Sequence, residues 1–265
     1  MRLILVSFSA KIINLEGEMA KRTIILVFIF LLVSSCAVFE KPEERPATLE
    51  ARDFDYYFNQ GLGSLKIRDY EKAIENFSAA LSLNPRSFRA QNLCGLAYFY
   101  QKNYRPAEEK FREAVRLNPS FAEAYTNLGG VYFVTRRLNE AKEMLEKALS
   151  LSPDSVAAHY SLGSLLLLLG DMDGGAAHLT RAVELDPAYL DKNPPLLVDI
   201  PSAEANMAEI YFTYAKIFAQ KGNVEKTLEY LTKAQQAGFS DWDRIKREKE
   251  FDPVREDPRL AAFIR

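Results

Sequence analysis

Two cysteines and two histidines are the side chains of this 265-residue chain best suited to nucleophilic or metal chemistry. A metal site needs three or four converging ligands. His159 and His178 have no Cys, Asp or His at ligand spacing beside them and read as surface or groove residues. Cys94 precedes Gly95 inside a helical pattern, the setting of a buried small apolar group. To act as a nucleophile it would need His159 within hydrogen-bond reach from far along the chain. No Gly-rich phosphate loop follows a strand, and no strand is read at all. These residues point away from an enzyme and call for no metal, cofactor or small-molecule substrate. With 34 Lys and Arg against 36 Asp and Glu, the net charge is −2, and the basic residues are interspersed with acids. A nucleic-acid partner is therefore not expected. Two cysteines in such unlike settings make no disulfide framework.

Cys36 belongs to an address rather than a site. Met19-Ala20-Lys21-Arg22-Thr23 leads into the apolar run Ile24 to Val33, and Ser34-Ser35-Cys36 follows. A basic start, an apolar stretch and small residues are the layout of a secretory signal. Ten apolar residues form a helix of roughly 15 Å, about half the ~30 Å hydrocarbon core, so a transmembrane anchor is the weaker reading. Val33-Ser34-Ser35-Cys36 resembles the lipobox of bacterial lipoproteins. That resemblance implies cleavage before Cys36, a covalent lipid on it and an anchor in the membrane. Ala37, standing where Asp favours the inner membrane, implies the outer membrane, facing the periplasm. Met19 already begins a complete signal, so translation is expected to start there, with 1–18 an artefact of the start assignment. Residues 1–35 are thus read as signal, and 36–50, with Pro42 and Pro46, as a flexible tether.

The remainder of the chain repeats. Asn84-Pro85, Asn118-Pro119, Ser152-Pro153 and Asp186-Pro187 recur every 34 residues. Gly61, Gly95, Gly129 and Gly163 keep the same period, as do Phe77, Phe111, Leu145 and Leu179 and then Ala80, Ala114, Ala148 and Ala182. This pattern resembles the tetratricopeptide repeat, a helix-turn-helix unit. The glycines mark close approach of the two helices of a unit, and the large residues fill the seam. The resemblance implies an all-α, right-handed superhelical solenoid: repeats 1–4 over 51–187, an insertion at 188–203, a degenerate fifth repeat at 204–237 and a helical cap at 238–265. Ser202 is expected to cap a longer first helix in repeat five. Ser240 with Asp243, and Asp257-Pro258, are read as helix starts in the cap. Trp242, Phe251, Leu260 and Phe263 are expected to cover the open apolar end. Gly174-Gly175 stands where Ala would suit a helix, at ~1 kcal/mol per Gly, which makes repeat four the soft spot.

In that family the first helices line a concave groove. Its register implies contact positions at Phe58, Asn92, Phe99, Thr126, Gly130, Phe133, Tyr160, Ser164, Leu167 and Phe212. Gly130 would clear space in mid-groove, and the run Leu165 to Leu169 would push Leu167 and Leu168 away from the seam. Asn92, Thr126 and Ser164 would hydrogen-bond a ligand backbone. Such a wall suits an amphipathic helix or an extended apolar peptide. Phe58, Leu62 and Glu123 stand where chaperone-binding relatives place basic carboxylate clamps, so that subtype is not expected. The reading is a lipid-anchored protein-interaction scaffold of the bacterial envelope. Two alternatives stay open: a pilotin-like lipoprotein assisting secretin or type IV pilus assembly, and a structural subunit whose groove is filled by itself.

Overall fold

The computed structural model describes residues 53–192 and 206–264. The signal segment, Cys36, the tether and Ser202 lie outside the described residues, as does most of the insertion.

The helices come in pairs. α1 (Phe54–Lys66) pairs with α2 (Tyr70–Leu83), and α3 (Phe88–Tyr100) with α4 (Tyr104–Leu117). α5 (Ala122–Val134) pairs with α6 (Leu138–Leu151), and α7 (Val156–Leu168) with α8 (Met172–Leu185). The short α9 (Tyr189–Lys192) precedes the last pair, α10 (Met207–Gln220) and α11 (Val224–Gln236). The tail adds α12 (Arg244–Arg247) and two 3-10 turns, Lys249–Phe251 and Pro258–Ala262. Each second helix packs on its own first helix and on the first helix of the next pair; α1, α3, α5 and α7 also touch in succession. The chain is an all-α solenoid of helix-turn-helix repeats with a helical C-terminal segment.

The seam residues show why the period is obligatory. A Cβ on Gly95 would stand 2.8 Å from the Phe111 ring, and one on Gly129 2.7 Å from Leu145 Cγ. Phe77, Phe111, Leu145 and Leu179 are fully buried, each contributing ~1.5–3 kcal/mol. Ala73, Ala107 and Ala141 are buried beside them.

A further register position lies in the turn inside each unit. Arg68, Lys102 and Arg136 adopt φ of 61°, 62° and 65°, and Gly170 continues the series at 87°. The next residue closes the helix end: Asp69 N–H donates to Ser64 O, Asn103 to Tyr98 O and Arg137 to Tyr132 O. This six-to-one bond over a left-handed residue satisfies carbonyls that the helix leaves unpaired. Asp69 and Asp171 then cap the helices that follow by accepting backbone N–H bonds with their carboxylates.

Several sequence expectations change here. α10 begins at Met207 with Asn206 as its cap and spans 14 residues against 13 for α7; the expected cap Ser202 lies outside the described residues. Ser240 caps no helix with its side chain; α12 starts at Arg244. Asp257 does cap the Pro258–Ala262 turn, accepting from Arg259 N–H. Leu167 and Leu168 do not face solvent, at 1% and 8% exposure, and only Leu169 of the leucine run is exposed. The physical reason is the glycine pair itself: a Cβ on Gly175 would lie 2.5 Å from Leu167 Cδ2. Gly175 makes the room that Leu167 fills.

The cap lies over the inner face of α10. Phe239 stacks on Phe212 with centroids 4.1 Å apart, and Phe251 follows at 5.5 Å. Arg244 bonds Glu209, while Lys216 pairs with Glu248 at 2.7 Å. Trp242 lies between Phe239 and Phe263, and Leu260 is fully buried. An apolar end left open would otherwise require a polar outer face.

Candidate functional site

The first helices of repeats one to four lie side by side, so residues three and four apart on each share one inner face. Two hollows occupy that face. The first, of about 230 Å³, is lined by Phe58, Arg89, Asn92, Leu93, Phe121 and Glu123. The second, of about 220 Å³, is lined by Leu96, Phe99, Tyr100, Phe111, Thr126 and Asn127, and by Gly130, Ala157, Tyr160, Ser161 and Tyr189. Asn127 Nδ2 donates to Asn92 Oδ1 at 2.9 Å, tying the two linings together.

Of the ten expected contact positions, the structure brings Phe58, Asn92, Phe99, Thr126, Gly130 and Tyr160 to these hollows. A Cβ on Gly130 would meet nothing within 4 Å, so the residue borders open space. Phe133, Ser164, Leu167 and Phe212 are not on the groove surface. Phe133 and Leu167 are 4% and 1% exposed, within the main apolar core. Ser164 is fully buried and shares a hydrogen bond of 3.3 Å with Tyr214 of the fifth repeat. Phe212 lies under Phe239 and Phe251. The causes differ: Leu167 fills the room left by Gly175, Ser164 meets Tyr214 of the next first helix, and the cap covers Phe212.

The expected backbone ligands also change. Thr126 Oγ1 donates to Ala122 O of its own helix at 3.2 Å, and Ser164 is spent on Tyr214. Two amides remain in the groove, Asn92 at the first hollow and Asn127 at the second. A primary amide has two donors and an acceptor, and the bond to Asn92 uses one donor of Asn127. Asn127, Ser161 and Leu93 hold one register position, one residue after Thr126, Tyr160 and Asn92. Extending the inner face by that residue would have identified them from sequence. Tyr189 carried no such signal, because it belongs to α9, outside the 34-residue period. Its ring meets that of Tyr160 edge-on at 5.4 Å. Burial, with Tyr100 and Asp186 nearby, pushes its phenol up.

The histidines prove to be neighbours. His159 Nδ1 lies 2.9 Å from His178 Nδ1, and His159 Nε2 lies 2.8 Å from Pro153 O. A carbonyl only accepts, so Nε2 of His159 carries a proton; in the neutral pair His178 Nδ1–H then donates to His159 Nδ1. Burial, then the proximity of His159, lowers the pKa of His178. One turn of helix did not reveal this, because the pair joins α7 to α8. Among the described residues no group of three or more His, Cys, Asp or Glu could hold a metal ion. Cys94 is a buried free thiol whose pKa burial raises.

Known proteins locate the repeats. The family described as Tetratricopeptide repeat matches residues 132–189, and that described as TPR repeat matches 69–102 and 95–134. No curated protein matches. Among solved structures, TTC0263, a thermophilic TPR protein from Thermus thermophilus, is 20% identical, covering 76% of this chain and 98% of its own, with a TM-score of 0.51. MamA from Desulfovibrio magneticus RS-1 is 28% identical over 53% of this chain and 79% of its own, with a TM-score of 0.47. The first TPR of Spaghetti (RPAP3), bound to an HSP90 peptide, is 26% identical over 46% of this chain and 96% of its own, with a TM-score of 0.43. The paired helices, the glycine seams and the family matches agree over residues 69–189, the stretch that matches tetratricopeptide-repeat families.

Proposed function

We propose that this chain is a protein-recognition scaffold of the bacterial envelope, held at the membrane by lipid on Cys36, that receives an apolar or amphipathic segment of a partner protein in its groove. The observation that carries the reading is the inner face of α3, α5 and α7. It presents open space at Gly130 and the Asn127 amide among apolar and aromatic side chains. Buried apolar anchors with a few placed polar groups are what a peptide site requires. The anchor rests on Val33-Ser34-Ser35-Cys36 after its apolar run, and acyl chains add ~0.8 kcal/mol per buried methylene.

The test has two arms. Partner capture from envelope extracts is compared between the wild type, Phe99→Glu, Asn127→Ala and the second-helix control Lys142→Glu. Loss in the first two variants alone supports the groove; equal capture by all four removes it. Labelling with a fatty-acid analogue is expected in the wild type and not in Cys36→Ala, and equal labelling removes the anchor.

A self-filled groove is the second reading, favoured by α9, which brings Tyr189 to the mid-groove hollow just before residue 193. Deleting 193–205 would then increase peptide binding, whereas the recognition reading expects no gain.

A further inference from the structure

The second hollow is narrower in chemistry than an apolar groove, and one of its walls does not come from the repeats. Gly130 stands where the other units carry Leu62, Leu96 and Ser164, and it faces open space. Tyr189 enters from α9, which is fixed to the core by the buried Leu190 and by the Tyr189 contact with Tyr160. Every side chain lining the hollow is uncharged. The charged groove residues Arg89 and Glu123 line the neighbouring hollow instead. A charged guest here would lose hydration with no ion partner. A ring would meet the edges and faces of Phe99, Tyr160 and Tyr189. Size agrees, since an apolar cavity of ~150 Å³ accepts benzene and this one measures about 220 Å³.

We propose that this hollow is a subsite for one large uncharged side chain, aromatic by preference, of a partner segment whose backbone is held by Asn127. The inference rests on the groove reading above and adds the chemistry of the anchor. Tyr189 sets the preference, and Gly130 sets the room.

The test uses the full chain and a phage-displayed library of random twelve-residue peptides with both ends internal. Wild-type protein is expected to enrich peptides sharing Phe, Trp, Tyr or Leu at one aligned position. In synthetic copies, changing that residue to Ala, Lys or Glu is expected to weaken binding at least tenfold. Gly130→Leu, whose Cβ would meet nothing within 4 Å, should remove the preference, and Tyr189→Ala should relax it. Circular dichroism checks that both variants remain folded. An aligned Lys, methylated Lys or acidic anchor overturns the proposal, as does an aromatic preference that survives Gly130→Leu. Peptides that need Asn127 but no particular anchor sink this inference and leave the groove standing. Peptides indifferent to both Asn127→Ala and Gly130→Leu, or no enrichment at all, sink both.

Discussion

Leu167 occupies the hollow that Gly175 leaves in α8: a Cβ there would lie 2.5 Å from Leu167 Cδ2 and 3.0 Å from Gly163 O. Two glycines and a leucine therefore form one packing unit between α7 and α8. On helix propensity alone, Gly175→Ala should stabilise by ~1 kcal/mol. The contact reverses the sign, because overpacking costs ~1–3 kcal/mol. A lower melting temperature for Gly175→Ala is expected, and a rise would show that Leu167 can move away.

The turn residues give the opposite expectation. Arg136 and Lys102 hold φ of 65° and 62°, a conformation costing an L residue ~1–2 kcal/mol. Arg136→Gly and Lys102→Gly should each raise stability by up to ~1 kcal/mol, since glycine's larger unfolded-state entropy takes back part of the gain. Gly170→Ala, at φ of 87°, should lower it. Thermal melts of the three variants check the signs.

Much of the fold was legible because the seam residues recur at fixed spacing. Gly95 and Phe111 need each other wherever the unit is copied, so the pattern prints itself into the sequence. The turn register at Arg68, Lys102, Arg136 and Gly170 is selected by a backbone conformation rather than by packing, so basic residues and glycine stand at one position and leave no apolar signature. The groove was half legible. Phe58, Asn92, Phe99, Thr126, Gly130 and Tyr160 reach the hollows, but repeat spacing cannot reveal what covers a position from outside the repeat. Phe239 over Phe212 and Tyr214 against Ser164 are contacts of that kind.

Stability should fall on mild acidification. The folded pKa of His178 lies below its ordinary value of 6.5, from burial first and His159 second, with Asp171 and Glu146 acting the other way. The folded state thus disfavours the proton that the unfolded chain accepts near 6.5. Stability is full above that pH and is lost as pH falls from it through the lower folded pKa. A melting temperature that drops between pH 7.5 and 5.5, with a smaller drop in His178→Gln, is expected. Equal drops would assign the effect to other groups. The carboxyls of Glu140 and Glu229, held down by Arg137 and by Lys233 with Lys226, lose their contribution only at lower pH, below 4.5.

Phe212 separates core from groove at the C-terminal end. With Phe239 at 4.1 Å and Phe251 at 5.5 Å, Phe212→Ala should cost ~3–5 kcal/mol. Loss of cooperative melting of the cap, read by Trp242 fluorescence, is the expected sign. An unchanged melt would mean that the cap is not seated on α10.

The groove itself is delimited by pairing variants that differ in burial but share a register. Phe99, Phe133 and Leu167 hold equivalent positions on α3, α5 and α7, yet Phe99 is half-buried while Phe133 and Leu167 are core. A carboxylate at Phe133 or Leu167 is taken into an apolar interior without a partner, which places Phe133→Glu and Leu167→Asp among severely destabilising changes of ~4 kcal/mol or more. These variants should lose partner capture only because they unfold. Phe99→Glu can turn its charge to solvent and should cost about 1 kcal/mol, the middle of the range for single substitutions, while Gly130→Leu, with open space before it, should cost less. Both should keep native helicity and still lose the partner. Melting temperature and capture measured on the same four proteins decide the boundary. If Phe133→Glu melts like the wild type, the wall extends one repeat farther toward the C-terminus than the packing of α5 and α7 allows.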